Sequence, residues 1–319
     1  MTANWSRRAF LATAGASAAA SVLTACGSST VESAIRPSRF IAFGDALSDL
    51  GQNGTRYTVN DGSVNIWSQQ LASRYGVALT TASAGGTSYA VGNARITGTP
   101  DAAGIAATPT VTQQIGGFLA ANAFKDGDVV IAQGGTSDVI YNYRQFAAGA
   151  ITAAQLTANL TQAGTEFGAQ VRRLVTAGAK YVVVVGTYNM GRSPWATSVN
   201  DGARITEVAA AFNTALLLAI TDLGTNVLYV DATYYYNLLI NAPGSYSLTN
   251  STTVVCTSTD AADGIGIGAG NTSSARCTPS TIGSGLAYDS YLFADPVYFT
   301  PAANRLFGNY AYDRLARRF

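Results

Sequence analysis

Five of the six residues from Lys180 to Val185 are tyrosine or valine. A β-branched run of that length, with no helical period, suits a strand buried on both faces. Three more runs share the pattern: Phe40 to Phe43, ending in Gly44; Asp128 to Gln133, ending in two glycines; and Asn226 to Val230. Helical stretches fall between and after them. Asn65 to Tyr75 places Ile66, Trp67, Leu71 and Tyr75 near helical spacing, and Val111 to Asn122 reads as a second helix. Thr152 to Ala177 is a long helix with Thr152 placed to cap it, and Asp201 to Leu223 is another. Thr300 to Phe319 closes the chain, with Pro301 at a first-turn position. Strands alternating with helices predict an α/β fold: a three-layer α/β/α sandwich around a parallel sheet. Ligands of such sheets bind at the carboxyl edge, so the glycine-rich turns after Phe43 and Gln133 mark the expected site.

The chain has 319 residues, 48% of them hydrophobic and 12% charged, with a formal net charge of +1. That apolar content supports a sizeable core and disfavours global disorder. The length suits one large α/β domain, or at most two. No basic run follows the first few residues, so nucleic acid is not an expected partner.

Four blocks in order carry a resemblance. They are Phe43-Gly44-Asp45-Ala46-Leu47-Ser48-Asp49, the glycine block Ala84 to Gly92, Gly134-Gly135-Thr136-Ser137-Asp138, and Asp295-Pro296-Val297-Tyr298-Phe299-Thr300-Pro301. From about Arg39 to Phe319 the chain resembles the GDSL, or SGNH, lipase and esterase family, which implies a flavodoxin-like sandwich and ester hydrolysis. The resemblance places the nucleophile at Ala46, the general base at Tyr298, its orienting acid at Asp295, and the oxyanion donors at Ala46, Gly86 and Ser137. Three of these depart from the family pattern: alanine replaces serine, tyrosine replaces histidine, and serine replaces asparagine. The chain contains no histidine at all.

Acyl transfer of this kind needs a hydroxyl nucleophile, an imidazole to take its proton, and donors for the oxyanion. Ala46 offers a methyl group. Tyr298 keeps its proton until a pKa of about 10 and is a poor base near neutrality. Ser48 reads as a turn or cap hydroxyl, and Asp45 and Asp49 as braces of the first turn. A catalytically impaired family member is therefore expected, one that binds an acyl-ester or acetylated-glycan ligand without cleaving it. The alternative is an active esterase with a non-standard nucleophile. No cofactor is called for. Asp295 needs a new partner, either Tyr298 or a nearby backbone N–H, unless it caps the terminal helix. Tyr234-Tyr235-Tyr236 reads as aromatic packing or as a sugar-stacking platform.

Residues 1–25 resemble a twin-arginine signal peptide, with Arg7-Arg8 followed by a small-residue stretch too short for a spanning helix. Leu23-Thr24-Ala25-Cys26 resembles a bacterial lipobox, which implies lipid on Cys26 and a short tether over 26–38. A plain exported protein is the alternative. Gly27, in place of aspartate, points to the outer membrane. The expected location is thus the bacterial envelope, at the periplasmic side of the outer membrane or the cell surface.

In that compartment Cys256 and Cys277 suggest a disulfide worth roughly 3 kcal/mol, with two unpaired thiols as the alternative. Two cysteines without histidine are too few for a zinc site, so no metal is expected. The pair falls inside 243–289, a stretch rich in Gly, Ser, Thr and Asn with no clear period. It reads as a long surface insertion able to cover the site.

Overall fold

The computed structural model describes residues 33–319. The signal-peptide and Cys26 readings lie outside the described residues. Four parallel strands form the main sheet in the order β1 (Arg39–Phe43), β2 (Asp128–Gln133), β3 (Tyr181–Val185), β4 (Val227–Tyr229). Their registers are regular, with Ile41 opposite Val130 and Ile131 opposite Val183. All six residues of β2 are buried, as expected of a strand covered on both faces.

On the outer side of β1 the segment around Ser88 runs parallel to it. Ala42 N–H donates to Thr87 O at 3.0 Å and Tyr89 N–H to Ala42 O at 2.7 Å. With this segment counted as the second strand, the spatial order is second, first, third, fourth, fifth. The chain leaves β1 toward one side of the sheet and leaves β2 toward the other. The two carboxyl ends therefore flank a topological switch point, where open α/β sheets place their sites.

The helices are α1 (Trp67–Arg74), α2 (Val111–Ala121), α3 (Thr136–Ala147), α4 (Ala153–Thr176), α5 (Pro194–Ser198), α6 (Gly202–Ala219), α7 (Ala232–Asn241) and α8 (Pro301–Arg318). α1 packs on α8 and α4 packs on α6. Thr152 caps α4 with a full capping box, and Thr300 caps α8 ahead of Pro301. The close approach of α4 and α6 requires glycine: a Cβ on Gly164 would run into Phe212 O, and one on Gly168 into Ala219.

Three helices were absent from the sequence reading, the short α5 among them. α3 begins within the Gly134–Asp138 block, and α7 contains the tyrosine run. On α7, Tyr236 stacks on Phe299 at 3.8 Å and Tyr235 stacks on Tyr310 at 4.4 Å, while Tyr234 stays exposed. The run is therefore mostly packing.

The 243–289 stretch is not wholly irregular. β5 (Asn250–Val254) pairs with β6 (Tyr291–Phe293) in a second small sheet. Cys256 and Cys277 form a disulfide with Cα atoms 5.7 Å apart. Among the described residues, no helix is long and apolar enough to cross a membrane.

Candidate active site

The turn after β1 is built by its own acids. Asp45 Oδ1 accepts from Leu47 N–H at 3.0 Å, and Oδ2 accepts from Thr136 N–H, at the start of α3, at 3.1 Å. One carboxylate thus ties the turn after β1 to the turn after β2 across the switch point. Burial drives the Asp45 pKa up to about 6. Asp49 accepts from Gly51, Gln52 and Gly92 N–H groups, each at 2.8 Å. Both acids brace the turn, as read from the sequence. Gly44 must be glycine because a Cβ there would meet the carbonyl and side-chain oxygens of Gln133.

Ala46 sits in this turn and is fully buried. Ser48 is buried too, and its Oγ accepts from Trp67 Nε1 at 3.1 Å, a packing role. Ser137, at the start of α3, is buried with its Oγ lacking a partner among the described residues.

Tyr298 is fully buried, and its hydroxyl also lacks a partner. Its ring meets the edge of Tyr57 at 5.2 Å. Burial first, then the negative charge of Asp45, pushes the phenol well above its ordinary pKa. A phenol held this firmly in its neutral form cannot take a proton from a nucleophile.

Asp295 finds backbone donors rather than the Tyr298 hydroxyl. Oδ1 accepts from Val297 N–H at 2.8 Å and Tyr298 N–H at 2.7 Å; Oδ2 accepts from Ser274 N–H at 2.8 Å. The helix-cap alternative is not realised, since Thr300 occupies that role. Desolvation still raises the Asp295 pKa.

Gly86 is not brought to the turn. The parallel register of Ala42 with Ser88 sets Gly86 at the level of Phe40, well before the carboxyl edge. Its N–H donates to Thr81 O at 2.8 Å. The same register carries the last residue of the block, Gly92, to the edge instead. Val91 N–H bonds Gly44 O at 3.1 Å, and a Cβ on Gly92 would strike the Tyr57 phenol. The Gly92 N–H is held by Asp49. Choosing between the two glycines required the strand register, which the residue pattern alone did not supply.

The insertion reaches this edge. Ser274, three residues from Cys277, supplies one donor to Asp295. Gly264 O accepts from Asn93 Nδ2 at 2.8 Å, and Asp263 pairs with Arg144 of α3 at 2.8 Å. Asn93 holds a left-handed backbone, φ 62°, beside Gly92. A further buried pair brackets α3: Asp138 accepts from Ile96 N–H at 3.0 Å and lies 3.5 Å from Arg95. Burial outweighs that arginine and lifts the Asp138 pKa to about 7. Among the described residues no group of three or more Asp, Glu, Cys or His side chains could hold a metal ion.

The order of blocks, the parallel sheet and the switch-point turn define an α/β fold of the ester-hydrolase kind. The chain belongs to the GDSL-like lipase/acylhydrolase family, whose model matches residues 40–311. Solved structures similar to it include a member of the lipolytic G-D-S-L family from Veillonella parvula DSM 2008. That match has 11% identity over 86% of this chain and 95% of that one, with a TM-score of 0.42. Another is Est24, a carbohydrate acetylesterase from Sinorhizobium meliloti, at 13% identity over 88% of this chain and 99% of that one, with a TM-score of 0.46. A search of curated proteins finds no match.

Proposed function

We propose that this chain is a non-hydrolytic member of its family, exported to the bacterial envelope and held there by lipid on Cys26. One observation carries the reading: the turn that would present the nucleophile ends in the buried methyl of Ala46, with no imidazole anywhere in the chain. In a serine hydrolase, losing the serine or histidine lowers turnover by about a millionfold. The donors that would hold an oxyanion are also reduced, because the Gly86 and Gly92 N–H groups are engaged elsewhere. Hydrolysis of a short-chain nitrophenyl ester by the purified protein is expected to match buffer alone. Covalent labelling by an organophosphate at any residue of the turns after β1 and β2 would overturn the proposal. Mass measurement of the peptide beginning at Cys26, isolated from membranes, tests the anchor separately.

A second reading rests on the unpartnered buried groups. Ser137 Oγ, Tyr298 OH, Thr136 Oγ1 and Gln133 Nε2 all lack partners among the described residues; Gln133 and Thr136 are both hydrogen-bonded to Asp45, and its charge reaches Tyr298. Buried polar atoms without partners are costly, and an acyl carbonyl or carboxylate would satisfy several at once. On this reading the switch-point turns take an acyl ester or an acetylated glycan and leave it intact. Calorimetry with acetate and with acetylated sugars tests it; absence of heat at millimolar ligand would remove it.

A further inference from the structure

Setting aside Arg7, Arg8 and Glu32, the chain's 19 basic and 18 acidic residues leave residues 33–319 formally neutral. That neutrality hides a separation of charge along the strand direction. The amino edge of the sheet is where β1, β2 and β3 begin and where α1, α4 and α8 end. It carries Arg36, Arg74, Lys125, Arg173, Arg317 and Arg318. All six are exposed, and none has an ion-pair partner among the described residues. The other cations there, Arg39, Arg172 and Lys180, are paired with Asp128, Asp222 and Asp126. Asp313 and Arg314 offset each other one turn back along α8. The opposite, carboxyl edge and the insertion that reaches it take the balancing negative charge, including Asp201, Asp260, Asp263 and Asp289.

The chain enters the described domain at the basic edge. Ser33 Oγ accepts from Tyr75 OH at 3.2 Å, and Ile35 N–H donates to Phe319 O at 3.1 Å. Phe319 in turn packs on Tyr181 at 5.1 Å, and Arg74 lies over Tyr312 at 4.1 Å. Of the unpaired cations, Arg36, Arg74, Arg317 and Arg318 thus flank the point where residue 33 joins the fold.

We propose that this basic edge is a docking face for an anionic bilayer surface, which seats the domain with its carboxyl edge turned away from the membrane. The inference deepens the anchored-envelope reading and rests on it in one respect. A lipid on Cys26 is seven residues from Ser33, which limits the separation to about 25 Å. Electrostatic attraction to a membrane fades within about 8 Å at physiological ionic strength, so a tether of that length keeps the face where its charge acts. The unpaired state of the six cations matters because a paired arginine has little charge left to offer a headgroup.

The test separates docking from lipidation. Full-length protein carrying Cys26→Ser is mixed with vesicles of phosphatidylcholine alone and with vesicles containing a quarter phosphatidylglycerol, at low and high salt. Binding is expected only to the anionic vesicles and is expected to fall with salt. The variant Arg36→Gln/Arg74→Gln/Arg317→Gln/Arg318→Gln is expected to bind roughly six-hundredfold more weakly, at about fivefold per cation. A charge-matched control, Arg192→Gln/Arg204→Gln/Arg276→Gln/Arg305→Gln, alters the opposite edge and is expected to bind as the parent does. Circular dichroism verifies that each variant folds. Equal binding to both vesicle types, or equal loss in both variants, would overturn the proposal. So would salt-sensitive binding to RNA with none to anionic vesicles. None of these outcomes bears on whether Cys26 carries lipid.

Discussion

Asp295 shows how one buried carboxylate can fix a turn. Where the family pattern would have it orient a histidine, here it accepts three backbone N–H groups and fixes the turn that carries Tyr298. Asp295→Ala would leave those three donors buried without an acceptor. The expected loss is about 3 kcal/mol or more, measured by urea unfolding. Tyr298→Phe is expected to be neutral or slightly stabilising, since it removes a buried hydroxyl that has no partner. Activity is a separate matter. Ala46→Ser/Tyr298→His is expected to stay silent in the nitrophenyl ester assay because Tyr57 still lies against Gly92. Adding Tyr57→Ala is expected to bring measurable turnover. Turnover in the double variant alone would show that Tyr57 is no barrier. The sequence made the substitutions at positions 46, 137 and 298 plain, because each lies within a short motif. It did not separate Gly86 from Gly92, because both belong to one glycine block and only pairing with β1 tells them apart.

At the scale of elements, the buried strands were legible because each is a continuous apolar run, and α4 and α8 because their caps are spelled out by Thr152 and by Thr300-Pro301. α3 was missed because it starts on Thr136-Ser137-Asp138, residues that read first as a loop motif. α7 was missed because its three tyrosines obscure the helical spacing of Tyr235, Tyr236, Leu239 and Ile240, which are its buried face. The α4–α6 contact was also silent in the sequence, since glycine inside a helix reads as a weakness until a neighbour is seen against it. Gly164→Leu is expected to cost several kcal/mol, visible as a lowered unfolding midpoint, because the added side chain must displace the backbone of α6. The disulfide makes a different prediction. Cys256→Ser/Cys277→Ser opens a loop of about twenty residues and is expected to lower stability by about 3 kcal/mol. Because Ser274 holds Asp295, it is also expected to speed amide exchange at Val297 and Tyr298, read by hydrogen–deuterium exchange.

Across the whole molecule, the carboxyl edge gathers acids that burial keeps from ionising easily. Asp45 is raised to about 6 and Asp138 to about 7, while Asp49, Asp101 and Asp295 move in the same direction. A carboxyl whose folded pKa lies above its unfolded value binds protons more tightly when folded. Stability is therefore greatest below the unfolded pKa near 4 and declines as pH rises through the folded values. The protein is expected to be more stable at pH 5 than at pH 7.5, by up to roughly 1.4 kcal/mol per pH unit for each group titrating fully. Asp138→Asn is expected to flatten that slope. Urea midpoints between pH 5 and pH 8 measure both, and a rise in stability over that range would contradict the burial of these groups.

If the chain is non-hydrolytic, as proposed, the turn at Ala46 has an evolutionary consequence. Restoring a hydroxyl there, without an imidazole at position 298 and without clearing Tyr57 from Gly92, adds one more buried donor with nothing to bond. Each step back toward turnover is neutral or harmful until the others are in place, so selection has no gradient to climb. On the proposed reading, descendants of this chain are free to drift in packing around the turn and are barred from returning to hydrolysis one change at a time.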